Sequence, residues 1–331
     1  MSGGATAIYF PVEGLDVGPG EDLLRRAGVT VHHLDEPSLG PDAPRDAVAL
    51  LVGYDPVGAA VMDELPQLRI IATHSDGYDM VDLEAARERG IWVAHLPDSA
   101  CEEVAVHALT LTLSVLRRVG DWQRRVREGL WVEDDSIRLR RPSTLTCGVV
   151  GLGRIGGRYA RLAAPIFGRT LGCDPYLPAD RWPAGVAAVD VQTLFSQCDV
   201  VSLHVPLTDE TRLLASGPRL ESLPRGAVLV NVSRGELVDE AALLAALDSG
   251  RISGAGLDVL VDEPPAADNP LAAHRRVVLT PHIAYLSQES LARYAAEPAA
   301  NVVALLEHGR PNTPVEDLRP GADARAAHRH G

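Results

Sequence analysis

A glycine-rich turn near the middle of the chain constrains the fold more than any other stretch. Residues 146–156 read TCGVVGLGRIG, in which a short apolar run leads into Gly151, Gly153 and Gly156. Apolar side chains then recur at helical spacing, so the pattern predicts a strand, a tight turn and a helix. Gly151 allows the turn, Gly153 lets the backbone approach a pyrophosphate, and Gly156 lets the helix pack close to the strand. The start of the helix would present N–H groups to the phosphates.

A carboxylate follows the next predicted strand, Leu171-Gly172-Cys173-Asp174. Asp174 stands about 20 residues beyond the turn, where dinucleotide-binding folds place a ribose ligand. A carboxylate there accepts hydrogen bonds from ribose hydroxyls and repels a 2′-phosphate, which favours NAD over NADP. Taken alone, the turn could be an ordinary strand-to-helix connection, and Asp174 could cap a turn before Pro175. Together they favour NAD(H) binding.

Length and charge limit the classes of partner. A chain of 331 residues is long enough for two domains, and its 46% hydrophobic and 23% charged residues are typical of a globular protein. A formal charge of −14 argues against a nucleic-acid or anionic-membrane partner. No signal peptide or membrane-spanning run is apparent. These features favour a small-molecule ligand that is held by local groups.

The four cysteines are scattered, with neither a C-x-x-C pair nor a histidine at metal-ligand spacing; they are Cys101, Cys147, Cys173 and Cys198. We therefore expect reduced thiols and no metal site. Reduced thiols imply a reducing compartment, so the sequence predicts a cytoplasmic protein.

Alternating strands and helices predict two parallel-sheet α/β units. The first unit has expected strands at 7–10, 29–33, 47–52, 70–73 and 91–94, with helices at 21–27 and 82–89. It has no phosphate turn. The second has a helix at 102–118, strands at 200–204, 227–232, 254–259 and 277–280, and a helix at 239–247 capped by Asp239. A helix at 287–306, interrupted by Pro298, would carry the chain back to the first unit.

Two further segments suggest a dimer contact and a disordered end of the chain. The stretch through Trp122, Leu130 and Trp131 is either an arm at a dimer contact or a segment that packs on its own domain. The last residues, 321–331, are expected to be disordered.

Polar groups follow three of the predicted strands in the second unit. They are Arg234 in Asn231-Val232-Ser233-Arg234-Gly235, Glu263 in Asp262-Glu263-Pro264-Pro265, and His282 in Thr280-Pro281-His282. In one parallel sheet these side chains would converge at the carboxyl edge, beside the nicotinamide end of the dinucleotide. That is the set required by hydride transfer to a 2-keto acid.

Charge assigns a role to each of the three side chains. Reduction places negative charge on the carbonyl oxygen, so an acid must deliver a proton there, and His282 is suited to this near neutral pH. Glu263 would raise the proton affinity of the histidine and fix its tautomer. Arg234 would bind the substrate carboxylate and polarise the carbonyl. Taken singly, a histidine such as His282 is more often a hydrogen-bonded loop residue, Glu263 beside two prolines is more often part of a solvated turn, and Arg234 could simply cap a helix.

The motifs together resemble the D-isomer-specific 2-hydroxyacid dehydrogenases. The resemblance rests on Gly151-Leu152-Gly153-Arg154-Ile155-Gly156, on Asn231 to Asp239, on Gly256-Leu257-Asp258-Val259 with Glu263-Pro264, and on Leu279-Thr280-Pro281-His282. It implies two Rossmann-like, doubly wound parallel-sheet domains. A flavodoxin-like substrate-binding domain would comprise residues 1–100 and 287–331, and the NAD-binding domain residues 101–286. It also implies a homodimer, with Arg234, Glu263 and His282 as the catalytic set.

The same resemblance assigns ligand contacts. The implied cofactor-binding residues are Gly151, Gly153, Arg154, Ile155, Gly156, Asp174, Pro206, Val232 and Asp258. Ser75, Asp76 and Gly77 match the loop whose backbone N–H groups hold the substrate carboxylate, and His74 stands where lactate-type members often have arginine. Asp76 would oppose an anionic substrate unless its side chain points outward. Tyr285 favours an apolar or aromatic substrate tail, or it packs on the domain seam.

Three functions follow as hypotheses. The leading one is an NAD-dependent enzyme that interconverts a 2-keto acid and its D-2-hydroxy acid, with domain closure excluding water. The second is an NAD(H)-sensing binding protein, because the corepressor branch of the family keeps the same fold and catalytic-type residues. The third is oxidation of formate or phosphite, for which His74 is the one nearby basic candidate.

Overall fold

The computed structural model describes residues 4–12, 14–131 and 139–315. The described residues divide into two compact units. One takes those within Met1–Ala100 and Ser287–Gly331, and the other those within Cys101–Leu286. The segment predicted to be a disordered tail, 321–331, lies outside the described residues. The assignment of substrate binding to the first unit stays a prediction.

The first unit is built on a five-stranded parallel sheet. Its strands are β1 (Thr6–Tyr9), β2 (Thr30–His33), β3 (Ala49–Val52), β4 (Ile70–Thr73) and β5 (Trp92–Ala94), in the order β2-β1-β3-β4-β5. The helices between them are α1 (Gly18–Arg26), α2 (Ala59–Asp63) and α3 (Leu83–Glu88). This is the flavodoxin-like strand order. Every residue of β3 and β4 is buried, as expected for strands that are covered on both faces.

The second unit contains a seven-stranded parallel sheet. Its helices are α4 (Cys101–Leu116), α5 (Val119–Arg127), α6 (Arg154–Ala163), α7 (Val191–Gln197), α8 (Gly217–Ser222) and α9 (Glu240–Asp248). Its strands are β6 (Thr146–Val150), β7 (Arg169–Cys173), β8 (Val186–Ala188), β9 (Val200–Leu203), β10 (Ala227–Asn231), β11 (Ile252–Leu257) and β12 (Val277–Leu279). The order β12-β11-β10-β9-β6-β7-β8 reverses between β6 and β9, as in a dinucleotide-binding fold.

Helix α10 (Gln288–His308) returns the chain to the first unit. Ser287 caps its start in a capping box with Ser290, and Gly309, in the left-handed region at φ 76°, ends it. The expected interruption by Pro298 does not divide the helix, because the chain stays helical on both sides of the proline.

The predicted fold class is confirmed by these two parallel sheets. Predicted element bounds differ from the observed ones by a few residues, and Asp239 caps α9 by accepting the N–H of Ala242 at 3.0 Å, as expected. Elements α2, α5, α7, α8 and β8 were not predicted from the sequence. Helix α5 lies in the stretch through Trp122 that was interpreted as an arm or a packed segment. The other four are short, so they carry too little periodicity to be recognised. Within the described residues, no helix has both the length and the apolar character required to cross a membrane.

Small residues in β11 let α4 lie directly against the sheet. A Cβ on Gly254 would lie 2.6 Å from Val115 Cγ1 and 2.8 Å from the carbonyl oxygen of Arg276. A Cβ on Gly256 would lie 2.9 Å from Leu111 Cβ. Each distance is shorter than a normal carbon contact, so the two glycines hold the position of α4.

We expect Gly254→Ala to destabilise the protein by about 1–3 kcal/mol, because the added methyl group forces α4 or β12 to move. The measurement is urea denaturation of the full chain. Gly120→Ala in α5 is the matched control, since no heavy atom lies within 4 Å of its added Cβ. Equal denaturation midpoints for the two variants would contradict close packing of α4 on β11.

Candidate active site

The glycine turn after β6 has the shape that a pyrophosphate requires. Gly151 has φ 83°, and a Cβ there would overlap the carbonyl oxygen of His204. A Cβ on Gly156 would overlap the carbonyl oxygen of Gly151. A Cβ on Gly153, by contrast, would have no heavy atom within 4 Å. The turn is therefore closed on its inner side and open above Gly153.

Helix α6 starts at this open position. Gly153 is its N-cap and provides no side-chain cap, and the N–H of Gly157 makes the first helical bond to the Gly153 carbonyl at 2.9 Å. The start of a helix carries a partial positive charge and favours an anion. The glycine turn and the start of α6 together fit a phosphate group.

Asp174 joins the glycine turn to β7. One carboxylate oxygen accepts the N–H of Leu152 at 2.8 Å, and the other accepts the N–H groups of Tyr176 and Leu177 at 3.0 and 3.1 Å. The carboxylate thus caps its own turn, which was the alternative interpretation of the sequence. It also lies at the edge of the glycine turn, where the ribose contact is predicted.

Sheet order places the predicted cofactor residues in a row. Asp174 follows β7, the glycine turn follows β6, Pro206 follows β9, Val232 follows β10 and Asp258 follows β11. The strands are parallel, so all these residues lie at the carboxyl edge of one sheet. Four strand spacings separate the first from the last, or about 19 Å. Arg154 and Ile155 open α6 beside this row.

His282 and Glu263 form a close pair at the same edge. His282 Nδ1 lies 2.6 Å from Glu263 Oε2, and the other oxygen of Glu263 accepts the N–H of Leu260 at 2.9 Å. Burial raises the pKa of Glu263, but the hydrogen bond and charge of His282, the Leu260 N–H and the charge of Arg234 outweigh it. The pKa therefore lies below its ordinary value of 4.5. The pair suits an imidazolium beside a carboxylate.

Arg234 follows β10 in a loop that is fixed by its neighbours. The amide of Asn231 donates to the Arg234 carbonyl at 2.7 Å and accepts the N–H of Ser233 at 3.1 Å. The guanidinium donates to the Ser233 carbonyl at 2.8 Å, and its charge acts on Glu263. The structure thus brings the three predicted catalytic side chains to one region of the second unit.

The predicted substrate loop lies in the first unit and is held by its carbonyl groups. Thr73 Oγ1 donates to the Ser75 carbonyl at 2.9 Å, and Ser75 Oγ donates to the Gly77 carbonyl at 2.6 Å. His95 Nδ1 lies 2.9 Å from the Asp76 carbonyl and 3.3 Å from its carboxylate. The Asp76 side chain thus lies beside a histidine that offsets its charge when protonated.

His74 makes its hydrogen bond to α10. Pro298 has no N–H to donate to the carbonyl of Tyr294, four residues earlier. His74 Nδ1 lies 2.8 Å from that carbonyl and takes the place of the missing donor. Burial lowers the pKa of His74 to about 4, so its ring is uncharged at neutral pH. His74 therefore offers no positive charge to an anionic substrate, contrary to the basis on which it was assigned to the substrate and to the formate or phosphite hypothesis.

Comparison with known proteins bears on this geometry. Residues 109–284, which make up more than half of the chain, match the model of the NAD binding domain of D-isomer specific 2-hydroxyacid dehydrogenases. The chain belongs to this family. As a member, it is an NAD-dependent oxidoreductase that interconverts 2-keto acids and D-2-hydroxy acids.

Relatives and solved structures of this family cover most of the chain. It is 41% identical over 263 residues to a glyoxylate reductase of Korarchaeum cryptofilum, covering 78% of this chain and 79% of that protein. It is 35% identical to a D-3-phosphoglycerate dehydrogenase of Archaeoglobus fulgidus, covering 81% of this chain but only 52% of that protein. A D-lactate dehydrogenase of Aquifex aeolicus, complexed with NAD and lactic acid, superposes with a TM-score of 0.84 at 31% identity, covering 91% and 95% of the two chains.

His204 was not predicted from the sequence as a residue of the site. His204 follows β9, and its ring lies 4.9 Å from that of Tyr159, at a tilt, while Nε2 lies 2.8 Å from Ser202 Oγ. Burial lowers the pKa of His204 to about 3, so the residue under the glycine turn is uncharged. Its position at a strand end, two residues before Pro206, was the available signal. Nothing in the sequence linked it to Gly151.

We expect His74→Leu to destabilise the protein by about 1–3 kcal/mol, because the buried Tyr294 carbonyl loses its donor. Pro298→Ala restores an N–H that can donate to the same carbonyl. His74→Leu should therefore have a smaller effect in the Pro298→Ala background. Urea denaturation of the wild type, the two single variants and the double variant measures this coupling. Simple additivity would show that Pro298 and His74 are not linked.

Proposed function

We propose that this dehydrogenase reduces a short 2-keto acid such as glyoxylate to the corresponding 2-hydroxy acid, with His282 as the proton donor. The observation that carries the proposal is the 2.6 Å separation of His282 Nδ1 from Glu263 Oε2 in the same region as Arg234. With Nδ1 directed at the carboxylate, Nε2 carries the second proton of the imidazolium. That proton passes to the carbonyl oxygen as a hydride reaches the carbonyl carbon.

Glu263 stabilises the protonated ring before the transfer and orients it. Because its pKa is lowered, the carboxylate is charged at all pH values above its ordinary value of 4.5. The stabilisation from the pair is complete above that pH and is lost as the pH falls through the lowered value in the folded protein. The carboxylate of Glu263 therefore stays charged through the neutral range.

Arg234 binds the carboxylate of the keto acid. A guanidinium presents two parallel N–H groups, which match the two oxygens of a carboxylate and fix its orientation. The same positive charge stabilises the negative charge that develops on the carbonyl oxygen. Holding the acid at this position places its carbonyl group within reach of His282.

The residues of the second unit fit a dinucleotide. Gly151, Gly153 and the start of α6 would hold the pyrophosphate, Asp174 the adenine ribose, and Val232 and Asp258 the nicotinamide end. The open space above Gly153 and the uncapped start of α6 are the observations that support this fit. When bound, the reduced nicotinamide supplies the hydride.

The substrate class rests on the relatives and on the loops. The relative from Korarchaeum cryptofilum is named for glyoxylate, the shortest 2-keto acid. Tyr285, which is partly buried in the second unit, would contact the substrate tail or limit its length. We propose that Ser75, Asp76 and Gly77 contribute backbone N–H groups to the substrate carboxylate.

We also propose a cytoplasmic homodimer. Leu130 and Trp131 extend beyond α5 and are 43% and 86% exposed, which is unusual for a tryptophan. A second copy of the chain would cover them. The cysteines among the described residues are all free thiols, which is compatible with a reducing compartment.

The proposal predicts that NADH oxidation is fastest with glyoxylate in a panel of 2-keto acids that extends to phenylpyruvate. His282→Ala should lower kcat by about 10²–10⁴-fold, because the proton donor is removed, while NADH still binds. The assay is NADH absorbance, and fluorescence titration measures NADH binding.

His308→Ala is the control for this panel, since that side chain is 73% exposed at the end of α10. If activity is highest with phenylpyruvate, the preferred substrate is an acid whose aromatic tail packs against Tyr285, and the proposal of a short substrate is wrong. Tight NADH binding without turnover of any acid would instead favour the NAD(H)-sensing hypothesis.

Glu263→Gln should lower kcat for reduction by about tenfold to a hundredfold, because the protonated ring of His282 loses the carboxylate that orients it and stabilises its charge. The measurement is kcat with glyoxylate and NADH at neutral pH. Glu240→Gln is the matched control, since Glu240 accepts the N–H of Val261 at 2.8 Å in the neighbouring loop. An equal loss of kcat in both variants would show that the effect is not specific to the carboxylate beside His282.

A further inference from the structure

The backbone of His282 is held in an unusual conformation. Its φ is 51°, in the left-handed region that residues other than glycine seldom adopt. Such a conformation persists only where the surrounding structure imposes it. The orientation of the His282 ring therefore depends on the groups that hold this turn.

One residue, Asp258, binds three successive N–H groups of the turn. Its carbonyl accepts the N–H of His282 at 2.8 Å. Its carboxylate accepts the N–H groups of Ile283 and Ala284 at 3.0 and 2.8 Å. The side chain of Asp258 is only 1% exposed, so these bonds are shielded from water. A rotation of the carboxylate would release two of the three bonds.

The carboxylate is itself held from the side of α4. Thr280 Oγ1 donates its proton to Asp258 Oδ1 at 2.5 Å. A hydroxyl has one proton, so at its second contact, with His107 Nε2 at 2.9 Å, the Thr280 oxygen acts as acceptor. His107 Nε2 also lies 3.5 Å from Asp258 Oδ1. Each group therefore donates to the next one: His107 Nε2–H donates to Thr280 Oγ1, and the Thr280 hydroxyl donates to Asp258 Oδ1.

We propose that His107 is a positioning residue for the reaction, which holds the His282 turn through Thr280 and Asp258. The inference rests on the proposed role of His282 as proton donor. Helix α4 is a suitable base for this function, because Gly254 and Gly256 let it pack tightly on β11, the strand that precedes Asp258. Because the His107 ring is fixed on α4, its bond to Thr280 restricts the movement of the His282 turn. His107 acts on the reacting groups only through these two neighbours.

Hydrogen exchange tests the proposal without any substrate. In His107→Phe, which has no donor, Thr280 loses the group that orients its hydroxyl towards Asp258. The amides of Ile283 and Ala284 should then exchange about tenfold faster or more, since the Asp258 carboxylate is held less firmly. In His107→Gln, the side-chain amide can still donate to Thr280, so exchange should stay close to that of the wild type. Amides of β10 in the same samples report on general loosening of the unit.

Kinetics with glyoxylate and NADH provide the second readout. His107→Phe should lower kcat by about tenfold to a hundredfold, with a much smaller change in KM for glyoxylate, because a misplaced donor affects the transition state. His107→Gln should recover most of the loss. Thr280→Val should have a similar effect, and the double variant His107→Phe/Thr280→Val should be no worse than the more severe of the single variants.

Thr110→Val is the matched control on α4. Thr110 is exposed, and its hydroxyl donates to the Val106 carbonyl of its own helix at 2.9 Å. Unchanged exchange at residues 283 and 284 in both His107→Phe and Thr280→Val would overturn the proposal. So would equal loss in His107→Gln and His107→Phe, or additive losses in the double variant.

The exchange result also separates this proposal from the proposed function. If no 2-keto acid is reduced by the wild type, the role of His282 as proton donor fails, whereas faster exchange in His107→Phe still supports the link from His107 to the turn. If the wild type is active and exchange is unchanged, the link fails and the proposed function stands.

Discussion

The parallel alignment of the seven strands in the second unit is the constraint on which the site depends. Because all strands run the same way, residues that follow them in sequence are gathered at one edge of the sheet. Asp174 and Asp258 are 84 residues apart in the chain, yet both lie at this edge, on opposite sides of the glycine turn. Each strand contributes one or two polar residues, and the sheet order decides which of them are neighbours.

Buried polar groups then fix the loops that carry the chemistry. Asp258 is nearly inaccessible to water and satisfies its oxygens with the N–H groups that follow His282. His74 is also buried and satisfies the carbonyl that Pro298 leaves without a helical donor. A buried polar group without a partner is unfavourable, so each bond strongly disfavours other loop conformations. The same rule applies in both units: to the carboxylate of Asp258 in the second unit and to the imidazole of His74 in the first.

Much of the fold and part of the site can be predicted from the sequence. The apolar runs of the buried strands, the glycine turn and the helix cap at Asp239 are local patterns, and each appears in the structure where it is expected. The polar residues at strand ends also follow from local pattern once a parallel sheet is inferred. Short helices such as α7 and α8 do not, because six or seven residues give too few repeats of the helical period.

The sequence by itself determined the two parallel sheets, the dinucleotide turn and the residue types that hydride transfer needs, because these depend on spacing along the chain. Only the tertiary structure decided what His74 and His107 do. His74 meets the carbonyl of a residue 220 positions away, and His107 meets a hydroxyl 173 positions away. A contact between side chains so far apart in the chain depends on how helices pack on sheets. No local pattern records that packing, so the first histidine is committed to the structure of its own unit and the second to the turn of His282.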